Sequence, residues 1–260
     1  MTTAALSELT SANTATSVIL IESATTTMAR IINREFIPYP SLRIRAICVH
    51  CTRYFAICPC DVNGLNADPC HDFRLVFTDG ACSNNGRPNA TSGMGIAMGA
   101  ASEYRWSIPI DDSIDWGKSR TSQRAELLAA IHGLRNINEV ERNNVENIRK
   151  HASTAYKTHL NVNSLGMYVF VPKYIVVTDS RYVVDGMTKW LPEWKRNSWQ
   201  TSQGVEPTNI DLFAELDDLV MHYEMMGIQV GFWKIGREDN YEADSLAKSA
   251  ARAARLPISR

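Results

Sequence analysis

Two short apolar runs that each stop at Thr-Asp constrain this chain most. Leu75-Val76-Phe77-Thr78 is closed by Asp79, and Tyr174-Ile175-Val176-Val177-Thr178 is closed by Asp179. Runs of this length, rich in β-branched and aromatic residues, read as strands rather than helices. Each of these acids therefore stands at a strand end. Two more stand at helix starts: Glu126 in Gln123-Arg124-Ala125-Glu126-Leu127, and Asp244 in Asn240-Tyr241-Glu242-Ala243-Asp244-Ser245-Leu246-Ala247. Side chains at such places point out from the rim of a sheet, where they can converge. Singly, each has an ordinary explanation. Asp79-Gly80 is a hairpin signal, Glu126 fits a solvated helix face, and Asp244 suits a helix N-terminus. Four together, at the ends of the right elements, are much harder to explain that way. Clustered carboxylate oxygens suit hard divalent cations such as magnesium or manganese. Two such ions about 4 Å apart steady both the attacking and the leaving oxygen of a phosphodiester displacement.

The periodicity places a compact α/β domain at 73–254. Its first strand is 74–79, followed by the glycine-punctuated strand 93–99. In the third strand Tyr104, Trp106 and Ile108 alternate with Glu103, Arg105 and Ser107. A helix starts near Ser122, with Leu127, Ala130, Ile131 and Leu134 at helical spacing. The strand 174–178 leads into a helix at 181–190. A further helix starts near Asn209, where Thr208 and Asp211 are spaced like a capping box, and Gly227 is its natural stop. A strand through Ile228, Val230 and Phe232 precedes the last, alanine-rich helix at 241–254. Residues 139–170 lack clear periodicity and read as a surface insertion. Residues 1–43 read as a disordered Ser/Thr/Ala-rich tail, and 44–72 as a cysteine-bearing extension.

A chain of 260 residues holds one well-buried domain plus extensions. The net charge of −1 gives no overall basic signature for nucleic acid, which leaves only local basic patches for such a partner. No apolar stretch approaches the ~20 residues needed to cross a bilayer, so no membrane association is expected. Ser17-Val18-Ile19-Leu20-Ile21 is too short for a secretory signal and lacks a basic region before it. An intracellular protein is expected, nuclear or cytoplasmic. Mitochondrial targeting stays open because residues 2–30 are rich in Ser, Thr and Ala, although Glu8 and Glu22 precede Arg30.

Cys48, Cys51, Cys58, Cys60 and Cys70 crowd before the domain, with His50 and His71. Cys48-x-x-Cys51 is a plausible zinc half-site, with Cys58, Cys60, Cys70 and His71 as the remaining candidates. Cys58-x-Cys60 departs from the common two-residue gap. Reduced thiols and disulfides are the other readings.

The order of elements and the four acids resemble the ribonuclease H family, type 1, of the eukaryotic, fungal-like kind, over roughly 73–252. The carrying motifs are Thr78-Asp79-Gly80-Ala81-Cys82, Gln123-Arg124-Ala125-Glu126, Thr178-Asp179-Ser180 and Glu242-Ala243-Asp244-Ser245-Leu246-Ala247. A related exonuclease branch carries Asp-x-Glu in the first motif, and Ala81 disfavours it. The resemblance implies a mixed five-stranded sheet with helices on both faces. It also implies hydrolysis of the RNA strand of RNA–DNA hybrids by two magnesium ions (manganese possible), leaving 5′-phosphate and 3′-hydroxyl ends. Asp79, Glu126, Asp179 and Asp244 would be the catalytic metal ligands.

For substrate grip it implies Asn85, Ser122 and Gln123 at the minor groove and the 2′-hydroxyls that distinguish RNA from DNA. Thr121 and Asn209 would line a pocket for a DNA phosphate. Tyr182, Trp190 and Trp194 would be DNA-channel aromatics, although Trp190 and Trp194 are one helical turn apart and such a stripe is more often core. The family's pocket arginine aligns with Ser119, so Lys118 or Arg120 would substitute. The loop 234–240 lacks the histidine that many members place before the fourth acid, and Arg237 or Glu238 would stand in. That gap supports a second reading, a hybrid-binding protein with weak or no catalysis. A third reading is a partner-binding scaffold using the cysteine segment and the insertion. No obligate protein partner is evident, and a monomer is expected.

Overall fold

The computed structural model describes residues 30–37, 45–48, 51–56, 73–151, 161–162, 168–169 and 173–254. Cys58, Cys60, Cys70 and His71 lie outside them, as do 1–29 and 38–44. In chain order the strands are β1 (Arg30–Ile32), β2 (Glu35–Ile37), β3 (Ala46–Ile47), β4 (Tyr54–Phe55), β5 (Phe73–Ser83), β6 (Thr91–Ala97), β7 (Arg105–Ile110), β8 (Asn161–Val162), β9 (Tyr168–Val169), β10 (Lys173–Thr178) and β11 (Gln229–Lys234). The helices are α1 (Ser122–His151), α2 (Arg181–Asp185), α3 (Leu191–Arg196), α4 (Ile210–Met225) and α5 (Tyr241–Ala253). A π turn at Gly186–Trp190 joins α2 to α3.

Strands β5, β6 and β7 form an antiparallel meander, and β10 and β11 run parallel to β5. These five are the expected sheet. Among the described residues the sheet has nine strands, because β1–β2 adds at the β11 edge and β3–β4 adds beside the start of β5; β8 and β9 pair separately. Strands of two or three residues carry too little alternation to register in a sequence. The parallel strands are buried on both faces. Val76, Tyr174, Val176, Met94 and Ile96 pack with Leu127, Ile131 and Leu134 of α1 and Leu216 and Val220 of α4. Leu75, Phe77, Ile175 and Val177 pack with Ala243 and Leu246 of α5 on the other side.

Three expectations are corrected by this arrangement. Residues 30–37, assigned to a disordered tail, form a hairpin because Phe36 buries itself against Phe73 and Trp233, with ring centroids 5.3 and 5.2 Å apart. Residues 139–151, assigned to a surface insertion, continue α1. The reason is Glu141, which looks solvated in sequence but is buried, paired with Arg74 at 3.1 Å and with Arg53. The capping box at Thr208 is absent: Asn209 caps α4 from a left-handed backbone (φ 59°), and Asp211 is drawn sideways to Arg124 and Lys118. Gly227, at φ 79°, stops α4 as expected.

Candidate active site

Asp79 does not end its strand. β5 runs on to Ser83 as a ribbon with β6, and Asp79 lies opposite Gly95. Its parallel neighbour β10 does end, at Thr178, so Asp79 and Asp179 emerge together where the parallel sheet stops. Asp79-Gly80 is therefore no hairpin. A Cβ on Gly80 would stand 2.2 Å from the backbone of Ala125 and Glu126, so glycine alone lets α1 sit this close and deliver Glu126. Gly95 does the same for the fourth acid, since a Cβ there would meet the Ala243 carbonyl oxygen at 2.0 Å. Two glycines, one on each face, thus bring α1 and α5 against the strand pair that carries Asp79.

The result is a negative cluster in which Asp79 is buried and Glu126, Asp179 and Asp244 are half-buried. Asp79 is 8% exposed, and burial, then Asp179, Asp244 and Glu126, push its carboxyl up to about 7. Burial also raises Glu126, opposed by a hydrogen bond donated by the Ser180 hydroxyl; Asp179 raises it further and Arg237 lowers it. Asn240 Nδ2 donates to Asp179 Oδ1 at 2.8 Å and to the Thr78 carbonyl at 3.1 Å. Asp244 takes Lys248 at 2.7 Å and Arg237 at 3.5 Å. Arg237 is thus the cation of the loop 234–240 that reaches Asp244. Ser180 and Asn240 were quoted in sequence only as parts of motifs. Their role in orienting Glu126 and Asp179 is a tertiary contact with no local signature.

Among the described residues, no three His, Cys, Asp or Glu side chains are gathered tightly enough to enclose an ion. Like charges repel, and Glu126, Asp179 and Asp244 have each turned to a protein donor. The donor set nevertheless fits a hydrated hard cation: four carboxylates, one of them, Asp79, pushed up to about 7 by burial and then by its acidic neighbours. Asn240 Oδ1 is buried and takes no hydrogen bond from the described protein, which suits it to accept one from a cation's water.

A cavity of about 350 Å³ lies beyond the start of α1, lined by Lys118, Ser119, Thr121, Arg124, Asn209 and Asp211 among others. Thr121, Asn209 and Lys118 all line it. Arg120 turns away to Asp112 (2.6 Å), while Arg124, not singled out in sequence, faces the cavity. Arg124 is gripped by Asp115 at 2.7 Å and Asp211 at 2.9 Å, and it holds the Asp211 carboxyl down to about 2. Thr121 Oγ1 caps α1 by accepting from Arg124 N at 3.2 Å, and Asn85 Oδ1 accepts from Ser122 N at 3.0 Å. Gln123 is exposed beside them. Asn209 Nδ2 donates to the Tyr182 hydroxyl at 3.1 Å.

The aromatics divide. Tyr182 and Trp194 pack on Phe213, with centroids 5.3 and 5.2 Å apart, and so are partly core; Trp190 is 36% exposed above them. Lys195 pairs with the buried Asp217 rather than reaching outward. Of the zinc candidates, Cys48 is buried and Cys51 N donates to its sulfur at 3.5 Å. A side-chain hydrogen bond with Cys48, then burial, pushes the Cys51 thiol up.

A two-faced α/β sheet with four acids meeting where its parallel part ends defines the class, and the comparisons give the family. The sequence model of the RNase H family matches residues 72–252. The chain belongs to the ribonuclease H family, and its relatives mark it as type 1. Ribonuclease H1 of Homo sapiens is 32% identical over 185 residues, covering 70% of this chain and 51% of that protein. Ribonuclease H1 of Rattus norvegicus is 29% identical over 178 residues, 68% of this chain and 50% of the other. The Ribonuclease H of Prochlorococcus marinus (strain NATL1A) is 27% identical over 184 residues, 70% of this chain and 89% of the other. The chain spans about half the length of the mammalian relatives it matches. Among solved structures, LC11-RNase H1 isolated from compost matches with a TM-score of 0.43 and 18% identity, over 71% of this chain and 99% of that one. Among the described residues, no helix is long and apolar enough to cross a membrane.

Proposed function

We propose that this chain is an endoribonuclease that hydrolyses the RNA strand of RNA–DNA hybrids with magnesium, or manganese in its place, acting as a monomer. The observation that carries the reading is Asp79, buried among three other acids and lacking counter-charge. Divalent ions bound there would supply a nucleophile at neutral pH and stabilisation of the leaving 3′-oxygen, consistent with 5′-phosphate and 3′-hydroxyl ends. Asp79, Glu126, Asp179 and Asp244 would hold them. Asn240 and Ser180 keep Asp179 and Glu126 in place meanwhile, and Arg237 offers a permanent positive charge beside Asp244. Lys118, Thr121, Arg124 and Asn209 seat a phosphate of the DNA strand. Asn85, Ser122 and Gln123 face the minor groove, and Trp190, over Tyr182 and Trp194, offers the strand an apolar wall. Zinc at Cys48 and Cys51 is a separate proposal that also needs Cys58, Cys60, Cys70 or His71.

The test is cleavage of an end-labelled RNA–DNA hybrid in magnesium by the wild type and by Asp179→Asn. Cutting of the RNA strand that disappears in the variant, with duplex RNA and duplex DNA untouched, supports the reading. Binding without cutting, equal in both proteins and in either metal, would replace it with a hybrid-binding protein.

A further inference from the structure

Trp116 is 82% exposed, the most exposed large apolar side chain among the described residues. Removing such a surface from water on binding a partner is favourable, and exposed tryptophans are characteristic contact residues. Its loop is not loose. Asp115 beside it is 5% exposed, and its carboxylate grips Arg124 through two hydrogen bonds of 2.7 and 2.9 Å. Arg120 donates to the carbonyls of Asp115 and Lys118 at 2.8 and 3.0 Å, so it ties down both flanks of Trp116-Gly117. Ile114, on the other side, packs into the main core. The indole is thus presented by a loop fixed at both ends, two residues from Lys118, which lines the 350 Å³ cavity. The loop's acids are already engaged: Asp111 accepts from Ser113, Asp112 pairs with Arg120, and Asp115 pairs with Arg124. They therefore oppose an anionic strand less than their number suggests.

We infer that Trp116 is a nucleic-acid contact that extends the phosphate cavity, its flat apolar face packing on the nucleotide next to the one whose phosphate enters beside Lys118 and Arg124. The inference rests on the hybrid-binding part of the proposed function. An aromatic face beside a cation is the common way to hold a strand without reading its sequence, because every nucleotide offers an apolar surface. The two parts of such a site differ in their response to salt. Lys118 acts through charge and counterion release, and Trp116 does not.

Binding of a fluorescently labelled hybrid, measured by anisotropy in EDTA across a salt series, tests this. Trp116→Ala is expected to weaken binding about tenfold at every salt concentration, with the slope of log K against log salt unchanged. Trp116→Phe, which keeps an aromatic face, should recover most of the loss, and Trp116→Leu should not. Lys118→Ala should instead make the slope shallower by about one. Wild-type affinity in Trp116→Ala, a changed slope in that variant, or full recovery by leucine would each overturn the inference and leave the proposed function standing. A wild type that binds no hybrid would remove both.

Discussion

At Asp211 a single charge would set how ready the proposed phosphate cavity is. Its carboxylate holds Lys118 at 3.1 Å and Arg124 at 2.9 Å, so an entering phosphate has to compete for both cations. Asp211→Asn should therefore strengthen hybrid binding severalfold at low salt, with the gain fading as salt is raised; anisotropy titrations at two salt concentrations check this. Gly80 offers a second prediction. Gly80→Ala pushes a methyl into the α1 backbone at 2.2 Å, and should cost about 3 kcal/mol or more in urea unfolding while weakening magnesium binding, because Glu126 moves with α1. Gly80 stood in a motif legible from the sequence, whereas Asp211 was read as part of a capping box that does not form. Their consequences were not legible, since each depends on a neighbour more than forty positions away.

Among the elements, α1 does more than carry Glu126. Its extension past residue 139 places Glu141 between Arg53 of the cysteine segment and Arg74 of β5, in a buried network. Removing one member of such a network leaves a buried charge uncompensated. Glu141→Ala should therefore destabilise the fold by about 3–5 kcal/mol in denaturant unfolding, although the residue belongs to none of the four acid motifs. The periodic cores of α1, α4 and α5 and the strands β5, β10 and β11 were readable because their apolar spacing is strong. The hairpin β1–β2 and the pair β3–β4 were not, because their pairing partners are supplied by edges of a sheet built from later residues.

For the molecule as a whole, the acid cluster couples stability to pH in an uncommon direction. The folded carboxyl of Asp79 sits near 7, above its unfolded value of about 3.9. The unfolded chain therefore binds fewer protons between those values. The contribution of Asp79 to stability is fully present below about pH 4 and is lost as pH rises through 7. Glu126 acts in the same direction. In EDTA this part of the stability should fall between pH 5 and pH 8. Magnesium at about a hundred times its Kd should add about 2.7 kcal/mol at pH 8, roughly 5–10 °C in Tm, and much less at pH 5, where Asp79 keeps its proton. Thermal melts with and without magnesium at the two pH values check it; an equal magnesium effect at both would contradict the assignment of Asp79 as a ligand.

The sequence by itself determined the α/β order, the four acids and the family to which they belong, because strand and helix periods and short motifs are local quantities. The tertiary structure decided how the acids are brought together: by glycines that admit two helices and by Asn240 and Ser180 as orienting donors. It also set Arg124 beside Lys118 in the cavity, where the sequence pointed to Lys118 or Arg120. It also decided that the flanking strands at 30–32, 35–37, 46–47 and 54–55 belong to the sheet. Those outcomes depend on contacts between residues distant in the chain, which no local pattern encodes.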